Sequence, residues 1–358
     1  MSLTFWQFFL TSHDAWDAMF RACERAKFSI DCEEYILSND RIGRSFCNIL
    51  IKKSREGVKV RLLCDAAGSY SFYMSSLPEE LRAAGIDVRF FNEISPWRIN
   101  NFFSWFFRDH RKILIVDSEV ALTGGVGFRD DMRYWRDTHI EVTGRIVREM
   151  EHSFLELWNQ AANKRFLSRL RRLRSYTKGF NFLTNSPFFR KRFLYQTFVD
   201  ALRNARSYIF LTTPYFVPDA RIIRVLRLAA RRGVDVRILL PVSSDVVWVD
   251  RAAHAHFETL LKSGVRIFEY RKTFLHAKTA VIDDEWATVG SFNLDYLSFF
   301  YNYEANIVST DSKFVDAVRN HFEIDCIDTT EIDEMAWKRR PFTAKIPEFF
   351  SRFFKRFL

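Results

Sequence analysis

The sequence predicts an α/β protein made of two domains of like design, related by a pseudo-twofold axis, and three observations predict it. The chain has 358 residues and is 48% hydrophobic, enough to bury two cores. A strand, helix, strand pattern occurs twice along it. Each occurrence is followed by the same spaced set of polar residues.

In chain order, the opening "MSLTFWQFFLTSHDAW" is apolar but has neither a basic lead nor a small-residue cleavage site, so it does not read as a signal peptide. "RAKFSIDCEEYI" (25–36) and "REGVKVRLLCD" (55–65) read as strands flanking a helix, the pattern of a crossover unit in a parallel sheet. "AAGIDVRFFNE" adds a glycine-led strand. "ISPWRINNFFSWFFRDH" (94–110) then inserts aromatic residues, Trp105 and Phe106 among them, where a lipid tail or a packed lid would suit them. "DHRKILIVDSEVALTGGVGF" (109–128) reads as a hairpin that turns at Asp-Ser.

The basic stretch "NKRFLSRLRRLRSYTKGFNF" (163–182) separates the halves. The second half repeats the order with "NARSYIFLTTPYFVPD" (204–219), "RLAARRGVDVRILLP" (227–241), "KSGVRIFEYRK" and the hairpin "FLHAKTAVIDDEWATVGSFNLD" (274–295), turning at Asp-Asp. The expected domains are 1–174, with its polar motif at 110–127, and 175–330, with its motif at 276–293. A basic amphipathic tail follows at 331–358.

His110 and Lys112, like His276 and Lys278, lie two apart on a strand and so point to one face. Cleaving a phosphodiester calls for an imidazole to attack phosphorus, a protonated imidazole to protonate the leaving oxygen, and lysines to balance the anionic oxygens. One His-x-Lys per half supplies that set, with the active site at the interface of the domains. Asp117 and Asp283 fall at the hairpin turns, where a carboxylate braces the motif; the spacing leaves open a direct part in the chemistry, and both are kept with the catalytic set. Gly124, Gly125, Ser291 and Asn293 supply small residues and an amide for a phosphate pocket.

The formal charge of +10 and pI of about 9.4 point to an anionic partner, nucleic acid or an anionic membrane surface. Thirty-eight phenylalanines favour lipid. No uncharged apolar run reaches the roughly 18 residues of a membrane span, so contact with a bilayer is expected to be peripheral. In "IPEFFSRFFKRFL" a helical projection gathers Phe349, Phe350, Phe353, Phe354 and Phe357 on one half and the charges on the other, the pattern of an in-plane anchor. Five cysteines with no C-x-x-C indicate neither a disulfide framework nor zinc, and the two histidines of "HAHFE" do not share a helix face, so no metal is expected.

The pattern His-x-Lys-x4-Asp-x6-Gly-Ser-x-Asn is similar to the signature of the phospholipase D superfamily, and His276, Lys278, Asp283, Gly290, Ser291 and Asn293 match it in full. "EEYILSNDRIG", "TTPYFVPD" and "RRGVDVRILLP" resemble the bacterial cardiolipin synthase branch, and the likeness runs over roughly residues 10–330. The resemblance implies two phospholipase D-like domains, a phosphatidyl-histidine intermediate on His110, His276 as general acid and then base, and no metal or cofactor. It also implies that Asp137 and Glu304 orient the histidines. The implied reaction moves a phosphatidyl group between glycerophospholipids, from phosphatidylglycerol to cardiolipin plus glycerol. The implied protein is a monomer, peripheral to the cytoplasmic side of a bacterial inner membrane. Rival readings are a phospholipase D releasing phosphatidic acid, a nuclease, and a non-catalytic lipid binder; nucleic acid is the less favoured partner. The first copy departs from the signature, reading Gly124, Gly125, Val126, Gly127 where the pattern has Gly-Ser-x-Asn.

Overall fold

The computed structural model describes residues 5–94, 107–163, 179–188, 192–341 and 347–348. Two compact units emerge: Met1–Phe182 together with Asn302–Ala305, and Leu183–Tyr301 together with Asn306–Leu358.

In the first unit the sheet runs, edge to edge, Trp6–Thr11, Arg136–Thr143, Val120–Gly124, Ile113–Val116, Ser29–Glu34, Lys59–Asp65, Asp87–Phe91. The last three strands are parallel, as their crossover helices require, and the others pair antiparallel. The apolar N-terminal run is thus an edge strand. Alternation sends Ile30, Cys32, Leu62, Cys64 and Leu114 into a core with Trp16, Met19, Phe46 and Leu50 from the helices Ser12–Arg25 and Arg41–Arg55. Residues of the opposite parity face the helix Arg145–Asn163, and several of them are charged. Arg61 pairs with Asp31 at 2.5 Å and lies over the Phe154 ring, and Arg89 lies 3.9 Å from the Trp158 ring centroid.

The second unit repeats the order. Its strands run Arg266–Tyr270, Asp235–Pro241, Tyr208–Thr212, Thr279–Ile282, Trp286–Gly290 and then the strand Asn302–Ser309, whose residues 306–309 belong here. Thr329–Glu331 adds an edge strand beside Arg266–Tyr270. Register makes the match residue by residue: Ile30 pairs with Val116 as Ile209 pairs with Ile282, and Gly124 pairs with His139 as Gly290 pairs with Asn306. Even the caps correspond, since Asp40 accepts from the Gly43 N–H and Asp219 from the Ile222 N–H at the start of equivalent helices. Where the first unit puts Asp31 beneath its covering helix, the second puts Phe210, stacked on Phe322 of the helix Ser312–Ile327 at 4.7 Å. The short helix Glu334–Lys338 packs Trp337 against His254 and Phe257 of the helix Val247–Leu261.

Both hairpins turn through residues with positive φ, Asp117 (53°) and Ser118 (55°) in one, Asp283 (54°) and Asp284 (53°) in the other. A two-residue turn of this hand matches the twist of the strands, and aspartate tolerates the left-handed region better than most residues. The carboxylates then do the same work twice. Asp117 accepts the N–H groups of Lys27, Phe28 and Ser29 at 2.7–2.8 Å, and Asp283 those of Arg206, Ser207 and Tyr208 at 2.6–2.9 Å.

Candidate active site

His110 sits at the end of a short segment, Arg108–Asp109, that pairs in parallel with Asn302 and Tyr303. Its backbone N–H continues the ladder to the Tyr303 carbonyl at 3.0 Å. That pairing brings Glu304, 194 residues on, to His110: both carboxylate oxygens lie 3.0 Å from Nδ1. Glu304 is fully buried and His110 nearly so. A carboxylate that holds a proton at Nδ1 fixes the tautomer and leaves the lone pair on Nε2. The Tyr35 ring packs edge-on against the imidazole, with centroids 4.6 Å apart.

Lys112 is buried on the same face, its Nζ donating to the His110 carbonyl at 2.8 Å and lying 5.2 Å from the Tyr35 ring centroid. Burial pulls its ammonium below the usual lysine range, while Glu304, Glu34 and Asp137 pull it back up. A buried cation among carboxylates is a ready counter-charge for phosphate oxygens.

The strand carrying His110 is anchored by the residues of the other parity. Arg111 forms a two-pronged ion pair with Glu33 and donates to Ser153 Oγ at 2.7 Å, with Asp109 3.5 Å away. Burial pushes the Glu33 carboxyl up, and the Arg111 guanidinium draws it back. Asp65 accepts the amides of Ala67, Gly68 and Asp109; burial raises its carboxyl to about 6. At the matching places the second unit has Thr212, Leu275 and Ala277 for Glu33, Asp109 and Arg111.

The first-copy glycines have a steric reason. A Cβ on Gly125 would stand 2.2 Å from Oδ1 of Asp137, so the carboxylate occupies the room that a serine side chain would need. A Cβ on Gly124 would meet the Thr138 carbonyl oxygen at 2.4 Å and Nδ1 of His139 at 2.7 Å. Gly127 lends its carbonyl to Trp16 Nε1 at 2.9 Å. Its own Cβ would press on Ile36 at about 3 Å, so an asparagine there would have to shift Ile36 by a few tenths of an ångström.

In the second unit His276 and Lys278 are both buried, and Lys278 Nζ lies 2.9 Å from His276 Nδ1 while also donating to the His276 carbonyl. Phe274 stacks on the imidazole at 6.2 Å, and Tyr215 meets it edge-on at 6.3 Å. Ser291 and Asn293 are buried; the Phe292 N–H between them donates to Oδ1 of Asn306, which also reaches Thr288 through its amide. Oδ1 of Asn293 has no hydrogen-bond partner among the described residues.

The first unit thus gathers His110, Lys112, Asp137, Glu304, Gly124 and Gly125, and the second His276, Lys278, Ser291 and Asn293. Asp117 and Asp283 lie at the turns with their oxygens engaged by backbone amides. Trp105, Phe106, Phe349, Phe350, Phe353, Phe354 and Phe357 lie outside the described residues. Sequence reasoning did not single out Tyr35, Tyr215, Glu33, Glu34, Asp109, Arg111 or His139. Three acidic residues, Asp31, Glu33 and Glu34, in one short strand flanked by apolar strands were a usable signal, because buried carboxylates there demand cations. Among the described residues no group of His, Cys, Asp and Glu is placed to hold a metal ion, and no helix is long and apolar enough to cross a membrane.

Comparisons with known proteins identify the family and the fold. A family model described as cardiolipin synthase, PLD-like domain, matches residues 19–158 and again 198–326. The cardiolipin synthase of Geobacillus kaustophilus is 33% identical over 351 residues, 95% of this chain and 69% of that protein. Cardiolipin synthase 1 of Bacillus anthracis is 34% identical over 363 residues, 96% of this chain and 70% of that protein. Among solved structures, phosphatidylserine synthase from Haemophilus influenzae shares the fold at a TM-score of 0.74 and 14% identity, covering 98% of this chain and 92% of that one. Polyphosphate kinase from Porphyromonas gingivalis matches at 0.63 and 13%, covering 98% of this chain and 52% of that one.

Proposed function

The chain belongs to the cardiolipin synthase family of phospholipase D-like proteins, and from that premise we propose how its residues carry out phosphatidyl transfer. Nε2 of His110 attacks the phosphorus of phosphatidylglycerol, the bond to the glycerol oxygen breaks, and His276 delivers the proton that this oxygen needs to leave. A phosphatidyl-histidine remains. His276, now neutral, takes the proton of a second phosphatidylglycerol hydroxyl, whose oxygen displaces His110 and yields cardiolipin. Lys112 and Lys278 balance the charge on the non-bridging oxygens. Glu304 is assigned to hold the His110 tautomer, Asp137 to act as the corresponding carboxylate of the first copy, and Asp117 and Asp283 to brace the hairpins.

The observation that carries this reading is the contact of both Glu304 oxygens with Nδ1 of a buried histidine. A histidine that serves only the core needs no ionised partner, whereas a nucleophile that becomes cationic does. The same scheme assigns Gly124, Gly125, Ser291 and Asn293 to the phosphate pocket. It assigns Trp105, Phe106 and the phenylalanines from Phe349 to Phe357 to peripheral contact with an anionic membrane. The protein acts as a monomer at the cytoplasmic face of the inner membrane, and the scheme uses no cofactor.

Lipid mass spectrometry after mixing the protein with phosphatidylglycerol vesicles tests the reading. Cardiolipin and free glycerol are expected, with both lost in His110→Ala and in His276→Ala. Phosphatidic acid in place of cardiolipin would make water the acceptor and overturn the transferase.

A further inference from the structure

The second unit displays apolar side chains on a segment joined to His276 through Tyr215. Between the strand Asp235–Pro241 and the first turn of the helix Val247–Leu261, Val242 (45% exposed), Val246 (39%), Val247 (65%) and Trp248 (56%) all face outward. A run of four outward apolar groups within seven residues is more than scattered surface hydrophobicity. The segment is held in shape: the Val242 N–H donates to the Tyr270 carbonyl, Asp250 accepts the Ser244 N–H at 3.0 Å, and Ser244 Oγ donates to the Val246 carbonyl at 2.7 Å.

The same segment is tied to the candidate site. The Tyr215 hydroxyl donates to Asp245 at 2.6 Å, and the Tyr215 ring lies against His276. Cations flank it. Arg271 and Lys272, each more than half exposed, follow the Tyr270 that binds Val242. Their neighbours Glu269 and Asp328 take part of that charge, and Asp245, exposed within the segment, accepts from the Tyr215 hydroxyl, so the patch is four apolar groups around one engaged carboxylate with a basic edge.

We propose that residues 242–248 enter the interface of an anionic phospholipid membrane and fix the depth at which the second unit presents His276 to the headgroups. A tryptophan suits the boundary between headgroup and acyl chain, and aliphatic side chains beside it enter the chains while the cations stay with the phosphates. The cations at the edge of the patch, Arg271 and Lys272, complement anionic headgroups, and this charge match beside an outward tryptophan favours a membrane as the occupant. The proposal rests on the phospholipid reading for its occupant but concerns binding rather than turnover.

The test uses the full chain carrying Cys326→Ser and Trp248→Cys, labelled at position 248 with nitrobenzoxadiazole; the other four cysteines are buried. With phosphatidylglycerol vesicles the label is expected to brighten several-fold and to be quenched by lipids carrying a nitroxide near the headgroup. A label that stays dim on protein that sediments with the vesicles, as when a second copy or another segment covers the patch, overturns the proposal. Failure to sediment overturns it too. Because the readout needs no reaction, insertion without cardiolipin formation would reject the transferase and leave this surface standing, and the converse would do the opposite. Val247→Ser with Trp248→Ser should then slow turnover of vesicle lipid several-fold while sparing turnover of soluble dihexanoyl phosphatidylglycerol.

Discussion

Glu304 places both carboxylate oxygens 3.0 Å from Nδ1 of His110, so the histidine of the first motif meets a carboxylate that follows the second. Glu304→Gln keeps the shape but exchanges an ionised acceptor for a neutral amide. The expected loss in kcat is on the order of 10²–10⁴-fold, with KM for phosphatidylglycerol within a few-fold. The pH profile of kcat should also change, because the carboxylate no longer stabilises imidazolium. A loss confined to KM, or a profile identical to the parent's, would remove Glu304 from the proposed role.

The hairpin aspartates predict a different signature. Asp117→Ala leaves the amides of Lys27, Phe28 and Ser29 without their acceptor. Water can reach part of that group, so the expected cost is about 1–2 kcal/mol rather than the full penalty of a buried unmet donor. In a unit of this size that corresponds to a thermal midpoint lower by roughly 2–8 °C. At 25 °C the folded variant should keep activity within a few-fold of the parent. A kcat loss beyond about a hundredfold in a protein with an unchanged midpoint would restore a chemical role to Asp117.

Returning the first motif to the family pattern should do harm. Gly125→Ser puts a Cβ 2.2 Å from Asp137 Oδ1 and 2.7 Å from its Cγ, well inside contact distance. The carboxylate must move, and Thr138 loses the Asp137 oxygen that accepts its N–H at 2.7 Å. Steady-state kinetics should show kcat down at least about tenfold with the protein still folded, in line with the cost of shifting a positioned group by an ångström or so. Equal activity would mean that Asp137 is free to move without consequence.

Much of this was legible in the sequence, for reasons that differ by residue. The two hairpins and their parallel strands showed because buried strands are runs of Val, Ile and Leu punctuated by turn residues, and His-x-Lys showed because strand alternation turns a spacing of two into a shared face. What pairs with His110 was not legible. Asp137 and Glu304 were marked by resemblance, but which carboxylate meets which histidine depends on the pairing of Arg108–Asp109 with Asn302–Tyr303, a contact with no local signal. The Glu33–Arg111 pair was missed for a like reason: its residues are 78 apart, and the second copy has the uncharged Thr212 and Ala277 at the matching positions. The departure at 124–127 had no reason in the sequence, because what crowds these glycines is Asp137 at Gly125, Thr138 and His139 at Gly124, and Ile36 at Gly127.

His139 supplies the last prediction. It is buried beside Gly124, neither ring nitrogen has a hydrogen-bond partner among the described residues, and its counterpart in the second unit is Asn306. Burial pulls its imidazole down to about 4, with Asp137 opposing and Lys112 adding to the fall. An unfolded chain protonates this histidine near 6.5, whereas the fold takes the proton only near 4. Between those values the unfolded state holds the extra proton, so the fold is at full strength above about 6.5 and loses stability as pH drops. The loss by pH 5 is about 2 kcal/mol. His254, also lowered to about 4 by burial, slopes the same way, and Asp65, raised to about 6, slopes the other way over the lower part of the range. The difference between parent and His139→Asn isolates the residue: the thermal midpoint of the parent should fall more steeply from pH 7 to pH 5 than that of the variant. Parallel curves would show that His139 meets a proton donor or acceptor that keeps its ordinary affinity in the fold.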